Sequence, residues 1–369
     1  MPLTGPVASQ GAVHKIVTEI YVEQLNRKTG LLGRPVEHIM LDDQSKPEVT
    51  RTLYERLITV DKVDLVLGAF GQAANLSALP VAQRYQRLFI TNTLGLPRRD
   101  MKTALYEMQF PTQGLPPDPW NTFMSKTLDA LASTGNPPKT IAIVTSKFPS
   151  LHLISNGARE VAAKRGLNVS LYLEYEFGNR DFGPIAARIK DTNPDFVWVG
   201  ALGIDGNLLL DAFKKINYAP RGQLYVYPAS GPMVQSPDAK FALSMTTFEE
   251  HPPFTDKPEA AEFARIFNER AAKAGFPYTK VDQQAAIGYT MWQVLEAAVR
   301  GAKSLDEKAL AKWLKANRVE TIIGTQRFDD PTNFGDDLHK IRQVQDGRWV
   351  VVWPKELAAP GAKLVHPSP

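Results

Sequence analysis

Short apolar runs alternate with amphipathic helical stretches along most of this chain, and few folds accommodate that rhythm. Val63-Asp64-Leu65-Val66-Leu67-Gly68 reads as a strand, Ala73 to Tyr85 as a helix, and Leu88-Phe89-Ile90 as the next strand. Ahead of them His38-Ile39-Met40-Leu41 reads as a strand and Pro47 to Thr59 as a helix. Pro47 suits a first helical turn, where its missing N–H is no loss. Near-continuous apolar strands ending in Gly, Ser, Thr or Asn belong to parallel sheets covered on both faces by helices.

The rhythm breaks once. From Phe110-Pro111 to Trp120 there are four prolines and no helical or strand period, which predicts a linker or crossover. It then restarts with strands at Thr140–Val144, Val169–Tyr175, Phe196–Val199 and Leu224–Val226. Helices separate them at Leu153–Lys164, Phe182–Lys190 and Asn207–Lys215. Two such doubly wound units make a two-lobed α/β protein with a cleft between its lobes. Long helices follow at Ala260–Ala274 and Asp282–Lys303. A third runs to about Ala316, with Ser304 as its cap and Glu307 closing a capping box. After a strand from Thr321, Lys340–Gln345 and Arg348–Trp353 flank Asp346-Gly347, a strong hairpin signal.

Composition narrows the function by exclusion. A chain of 369 residues is long enough for two or three domains at roughly 100–200 residues each. Hydrophobic residues at 43% and charged residues at 22% exclude disorder and fibrous structure. No apolar run approaches the ~18 residues of a membrane span. The net charge of +4 comes without a basic cluster, so nucleic acid is not an expected partner. With no cysteine there is no thiol nucleophile, thiolate metal site or disulfide, and the fold is indifferent to redox compartment. Met1-Pro2-Leu3-Thr4-Gly5 has neither the charged nor the apolar region of a signal peptide.

Catalytic constellations are missing as well. There is no G-x-S-x-G elbow, no phosphate loop ending in GK[ST] and no G-x-G-x-x-G after a strand. His14, His38, His152, His251, His339 and His366 are scattered, with no helical pair for a metal. Asp42-Asp43 reads as a polar strand end that bonds the following turn. No metal or cofactor is expected. What remains is the ligand rule for open α/β sheets, that ligands sit beyond the carboxyl ends of strands. Two turns qualify: Gly68-Ala69-Phe70-Gly71-Gln72, with backbone N–H groups near a helix N-terminus, and Thr91-Asn92-Thr93-Leu94-Gly95, with hydroxyls and an amide. Each could equally be an ordinary turn.

An ordered set of segments resembles a known family. Pro2-Leu3-Thr4-Gly5-Pro6, Asp42-Asp43-Gln44-Ser45 with Pro47, Val66-Leu67-Gly68 and Phe89-Ile90-Thr91-Asn92-Thr93 come in its order and spacing. Lys139–Ile143, Asp181-Phe182, Pro194–Val197, Leu314–Asn317 and Gly324 extend the match over essentially the whole chain. The sequence is similar to the branched-chain-amino-acid type of periplasmic solute-binding protein that serves ABC importers, with the type I two-lobed fold. The resemblance implies a non-enzymatic, periplasmic, monomeric receptor that closes on a small ligand and is presented to ABC permease subunits. It implies one lobe from residues 1–112 and 250–325 and another from 113–249 and 326–369, joined by three crossovers near Pro111–Pro119, Thr246–Pro252 and Thr325–Phe328.

For the ligand site, the resemblance implies Gln72 and Gly95 where relatives hold the ligand carboxylate with hydroxyl residues. Thr93 falls where backbone faces the ammonium group, and Gln10 where an aromatic covers the ligand. In the second lobe Ser150 and Leu202 fall where relatives carry tyrosines, and Pro228 or Ala229 where they carry the acid that pairs the ammonium. A buried ammonium without a paired charge is costly. A carboxylate, aromatic ones included, or an amide is therefore expected over an α-amino acid. Phe70, Phe148, Leu202 and Tyr227 are candidate apolar walls. The family also has a strand ahead of Pro2-Leu3-Thr4-Gly5, in the middle of the first lobe's sheet; without it both neighbouring strands are left with unpaired backbone groups. The rival readings are a cytoplasmic, amide-responsive sensor of the same fold and, behind it, an α/β enzyme.

Overall fold

The computed structural model describes residues 1–93, 106–116 and 118–367. In chain order its elements are α1 (Ala8–Arg27), α2 (Pro47–Thr59), α3 (Gln72–Arg84), β1 (Phe89–Thr91), β2 (Gln109–Pro111), α4 (Pro119–Ala132), β3 (Thr140–Ser146), α5 (Pro149–Lys164) and β4 (Asn168–Tyr175). Then come α6 (Gly183–Thr192), β5 (Phe196–Gly203), α7 (Asp205–Lys215), β6 (Gln223–Pro228), α8 (Ser230–Gln235) and β7 (Leu243–Thr246). The last are α9 (Pro258–Lys273), α10 (Gln283–Ala302), α11 (Glu307–Ala316), β8 (Val319–Thr321), β9 (Gly324–Gln326), β10 (Lys340–Gln345) and β11 (Arg348–Trp353). The chain divides into two compact units. The first comprises Met1–Pro117, Lys257–Gly275 and Thr279–Leu338; the second comprises Asp118–Asp256, Phe276–Tyr278 and His339–Pro369.

The second unit is built on one seven-stranded sheet in the order β11-β10-β7-β6-β5-β3-β4. From β4 to β7 all neighbours are parallel, and β10 and β11 add an antiparallel edge. The parallel part has the doubly wound order 2-1-3-4-5, whose winding reverses between β3 and β5. Both central strands are apolar on both faces because helices cover both: Ile141, Ile143, Val197, Trp198 and Val199 are fully buried. Trp198 meets its one polar requirement by donating from Nε1 to Ser155 Oγ at 3.1 Å. The hairpin turns at Asp346-Gly347, both at positive φ (50° and 70°), the conformation for which Asp-Gly is preferred.

The first unit departs from its expected sheet. Among its described residues β1 and β2 form the one parallel pair of strands, and Leu67 adds a single bridge to Ile90, with Gly68 N–H donating to Ile90 O at 2.7 Å. The runs expected as strands at His38–Leu41 and Val63–Gly68 are otherwise without a ladder. Between them lies a cavity of about 440 Å³, lined among others by Ile39, Leu41, Leu53, Leu65 and Trp292. Backbone groups facing a cavity have no strand to bond, which is why apolar sequence alone does not make strands here. The Met1 amine closes one end, donating to Leu41 O at 3.0 Å and pairing with Asp43 at 3.2 Å.

Two further expectations shift. Phe110-Pro111 belongs to β2 and not to the linker: Phe110 is fully buried edge-on against Phe328 at 5.4 Å, and Asn333 Nδ2 bonds the carbonyls of Glu107 and Gln109. Helix α11 starts at Glu307 and is capped by Asp306, whose carboxylate accepts from Ala309 N–H at 2.8 Å. Ser304 instead accepts from Asp306 N–H, and Glu307 pairs with Arg87. Asp42 and Asp43 bond the following turn as expected, accepting from Gln44 and Ser45 N–H, but the run ahead of them is not a strand, and Asp42 also accepts from Leu3 and Thr4 N–H. The helical layer rests on α1 against α10, tied by Trp292 Nε1 to Thr18 Oγ1 at 3.2 Å and Tyr21 to Glu296 at 2.6 Å.

Candidate functional site

In the first unit the two turns singled out from the sequence converge. Gly71 caps α3 with φ +91°, a conformation that favours glycine, and among the described residues no atom lies within 4 Å of where a Cβ would stand. Its N–H donates to Thr93 Oγ1 at 3.1 Å, and Asn75 Nδ2, one turn into α3, donates to the same oxygen at 2.6 Å. Gln72, Asn92 and Thr93 are all buried, Thr93 at 9% exposure. Asn92 turns to His14 of α1, its Nδ2 3.2 Å from Nδ1. Burial first, and then the N-terminal ammonium charge, hold the His14 imidazole down at about 4, so it is neutral near pH 7. Phe70 lies 5.5 Å from the His14 ring. Gln10 is half-buried on α1 and accepts from the Ser9 hydroxyl at 2.7 Å. Gly95 lies outside the described residues.

In the second unit the sequence candidates gather at the carboxyl ends of the parallel strands. Phe148 and Ser150 follow β3, and Leu202 ends β5, so these three flank the point where the winding reverses. Leu202 sits opposite Tyr227 in the ladder, and Ala229 N–H donates to Gly203 O at 2.8 Å. Phe148, Leu202 and Tyr227 are all half-buried.

Sequence reasoning misses several residues here. Phe177, just after β4, packs its ring 5.1 Å from Phe148 and is 39% exposed; Ile204, just after β5, is 45% exposed. Their signal is their position: a large apolar residue immediately after a strand of a parallel sheet. Two buried carboxylates also lie nearby, and both are engaged. Asp205 accepts from the Tyr175 hydroxyl at 3.1 Å, and burial pushes its carboxyl up against the opposing pull of that bond and of Arg180. Glu249 pairs with buried Arg342 at 2.8 Å, and Arg342 also reaches Ser230 Oγ at 3.2 Å and lies over the Trp349 ring. In the first unit Asn75 and His14 escape notice as the partners of Thr93 and Asn92, because only tertiary contact pairs them.

A family model for periplasmic binding proteins matches residues 1–348. The Leu/Ile/Val-binding protein of Escherichia coli (strain K12) is 25% identical over 334 residues, 89% of this chain and 84% of that protein. A leucine-binding protein from Thermotoga maritima has a TM-score of 0.78 at 20% identity, covering 96% of this chain and 98% of that one. The solute-binding protein of an ABC transporter from R. palustris, in complex with benzoate, has a TM-score of 0.78 at 20% identity, over 99% and 97%. At such identities the solved structures speak for the fold. No helix among the described residues is long and apolar enough to cross a membrane.

Proposed function

The chain belongs to the periplasmic binding protein family, a family of binding proteins and not of enzymes, and from that premise we propose that it is a receptor delivering a small organic acid or amide to an ABC importer. The ligand has a carboxylate or amide head and an apolar, preferably aromatic, body. The observation that carries this is the half-open apolar edge of the second unit, where Phe148, Phe177, Leu202, Ile204 and Tyr227 follow or end its parallel strands. Exposed large apolar groups clustered at strand ends favour an apolar partner over water.

The head group follows from charge. The two buried carboxylates near that edge, Asp205 and Glu249, already serve Tyr175 and Arg342. An ammonium group would have to displace one of those partners and leave a buried group unpaired. An aromatic acid makes no such demand, and the relative from R. palustris takes benzoate. Gln72, Asn92 and Thr93, with Gly95 beside them in sequence, would meet the head. Phe70, Phe148, Ser150, Leu202, Tyr227 and Ala229 would line the body, with Gln10 at the rim. Periplasmic residence and an ABC permease as partner complete the reading.

Thermal melting against branched-chain amino acids, aromatic carboxylates, short dicarboxylates and amides tests it. A ligand at about a hundred times its dissociation constant adds ~2.7 kcal/mol, a shift of several degrees. A shift with aromatic acids or amides and none with leucine supports the proposal. A strong shift with leucine or valine returns the protein to amino-acid import.

A further inference from the structure

Resting on the receptor reading above, we propose that the Thr93 hydroxyl is a dedicated donor to a ligand oxygen, and that Asn75 is the positioning residue that keeps it one. A threonine hydroxyl has one proton and two acceptor sites. Both acceptor sites of Thr93 are taken, by Gly71 N–H at 3.1 Å and Asn75 Nδ2 at 2.6 Å. Only the proton is left, and among the described residues no acceptor takes it.

The orientation of the Asn75 amide follows from counting. With nitrogen toward Thr93, one buried atom, Oδ1, has no partner among the described residues. Turned over, the amide would capture the Thr93 proton and leave both of its own N–H groups buried without an acceptor, the costlier arrangement. Asn75 is fully buried, whereas Thr93 keeps 9% of its surface open. Beside them stands the Gly71 turn, where among the described residues no atom lies within 4 Å of a Cβ built there. A hydroxyl that can only donate selects a carboxylate or an amide carbonyl over an ammonium group, which itself has nothing but donors.

The test measures affinity for benzoate and benzamide by calorimetry, with unliganded melting as the check on folding. Thr93→Val removes the proton and the two acceptor sites at little change in shape, and should weaken benzoate binding by about tenfold to a hundredfold, the range of a hydrogen bond to a charged group. Thr93→Ser restores it. Asn75→Asp substitutes an acceptor-only carboxylate, which takes the Thr93 proton and repels an anion, so benzoate should lose more than benzamide. A purely structural Asn75 would lower both alike. Unchanged benzoate affinity in a folded Thr93→Val, or equal losses for both probes in Asn75→Asp, overturns this assignment while leaving the receptor intact. A wild type that responds to neither probe overturns the acid-or-amide reading and this assignment with it.

Discussion

Two apolar runs of similar composition have different fates in the two units. In the second, Ile141–Thr145 is laddered on one side to β4 and on the other to β5, and its core residues are sealed from solvent. In the first, Val63–Gly68 borders a cavity of about 440 Å³ and makes one bridge, Leu67 to Ile90. The lesson is that an apolar run becomes a strand only where a neighbour offers backbone partners. Helices α2 and α3 and the α1–α10 pair hold the first unit together where its sheet is thin.

Amide exchange probes this contrast with the largest expected effect. Amides of β3 and β5 should exchange about a thousandfold more slowly than those of 37–41 and 63–66, because unladdered amides open without breaking the unit. Equal protection would mean that the first unit's runs are laddered in solution. Side-chain truncation should follow the same line. Ile143→Ala, at a fully buried site, should cost about 2–5 kcal/mol in denaturant unfolding, against about 1 kcal/mol or less for Leu65→Ala, which already faces the cavity. Comparable costs would erase the distinction.

Acid sharpens the comparison from another side. The buried His14 imidazole is held at about 4 in the folded chain against an unfolded value of 6.5. Between these values the unfolded chain binds the extra proton, so stability is full above about 6.5 and is lost as pH falls toward 4, by on the order of 3 kcal/mol. Burial holds His38 of the first unit and His251 and His366 of the second down in the same sense, so the His14→Gln variant isolates the share of His14 alone. An identical pH slope in that variant would place the effect elsewhere. The smallest expected change concerns helix ends. The side-chain caps recorded for α10 and α11, Asp282 and Asp306, are both in the first unit, and Asp306→Ala should cost about 1 kcal/mol in chemical denaturation.

Much of the fold is legible in the residues themselves. Helix α2 begins and ends where Pro47 and the periodicity put it, and β10 and β11 flank Asp346-Gly347 as the turn chemistry requires. The α/β class follows from the order of elements, and the family from the resemblance of ordered segments such as Asp42-Asp43-Gln44-Ser45 and Phe89–Thr93. Among the proposed site residues, Thr93, Leu202 and Tyr227 stand at or just after strand ends, and Phe70 and Gln72 at the entry to α3, places that the sequence itself marks. Asn75, His14 and Phe177 are not, since nothing in their own segments marks them. Phe110 reads as linker because the prolines around it disguise a buried strand.

Local sequence alone determined what is decided within a dozen residues: helix periods, a hairpin, a first-turn proline, and the alternation of apolar runs with helices. Those features rest on backbone conformation and on bonds between near neighbours. Only tertiary structure decided which apolar runs found ladder partners, that Asp205 and Glu249 were already engaged, and that Thr93 was left with a proton to give. Each of those outcomes depends on a partner many residues away, and a hydrogen bond exists only when both of its ends arrive.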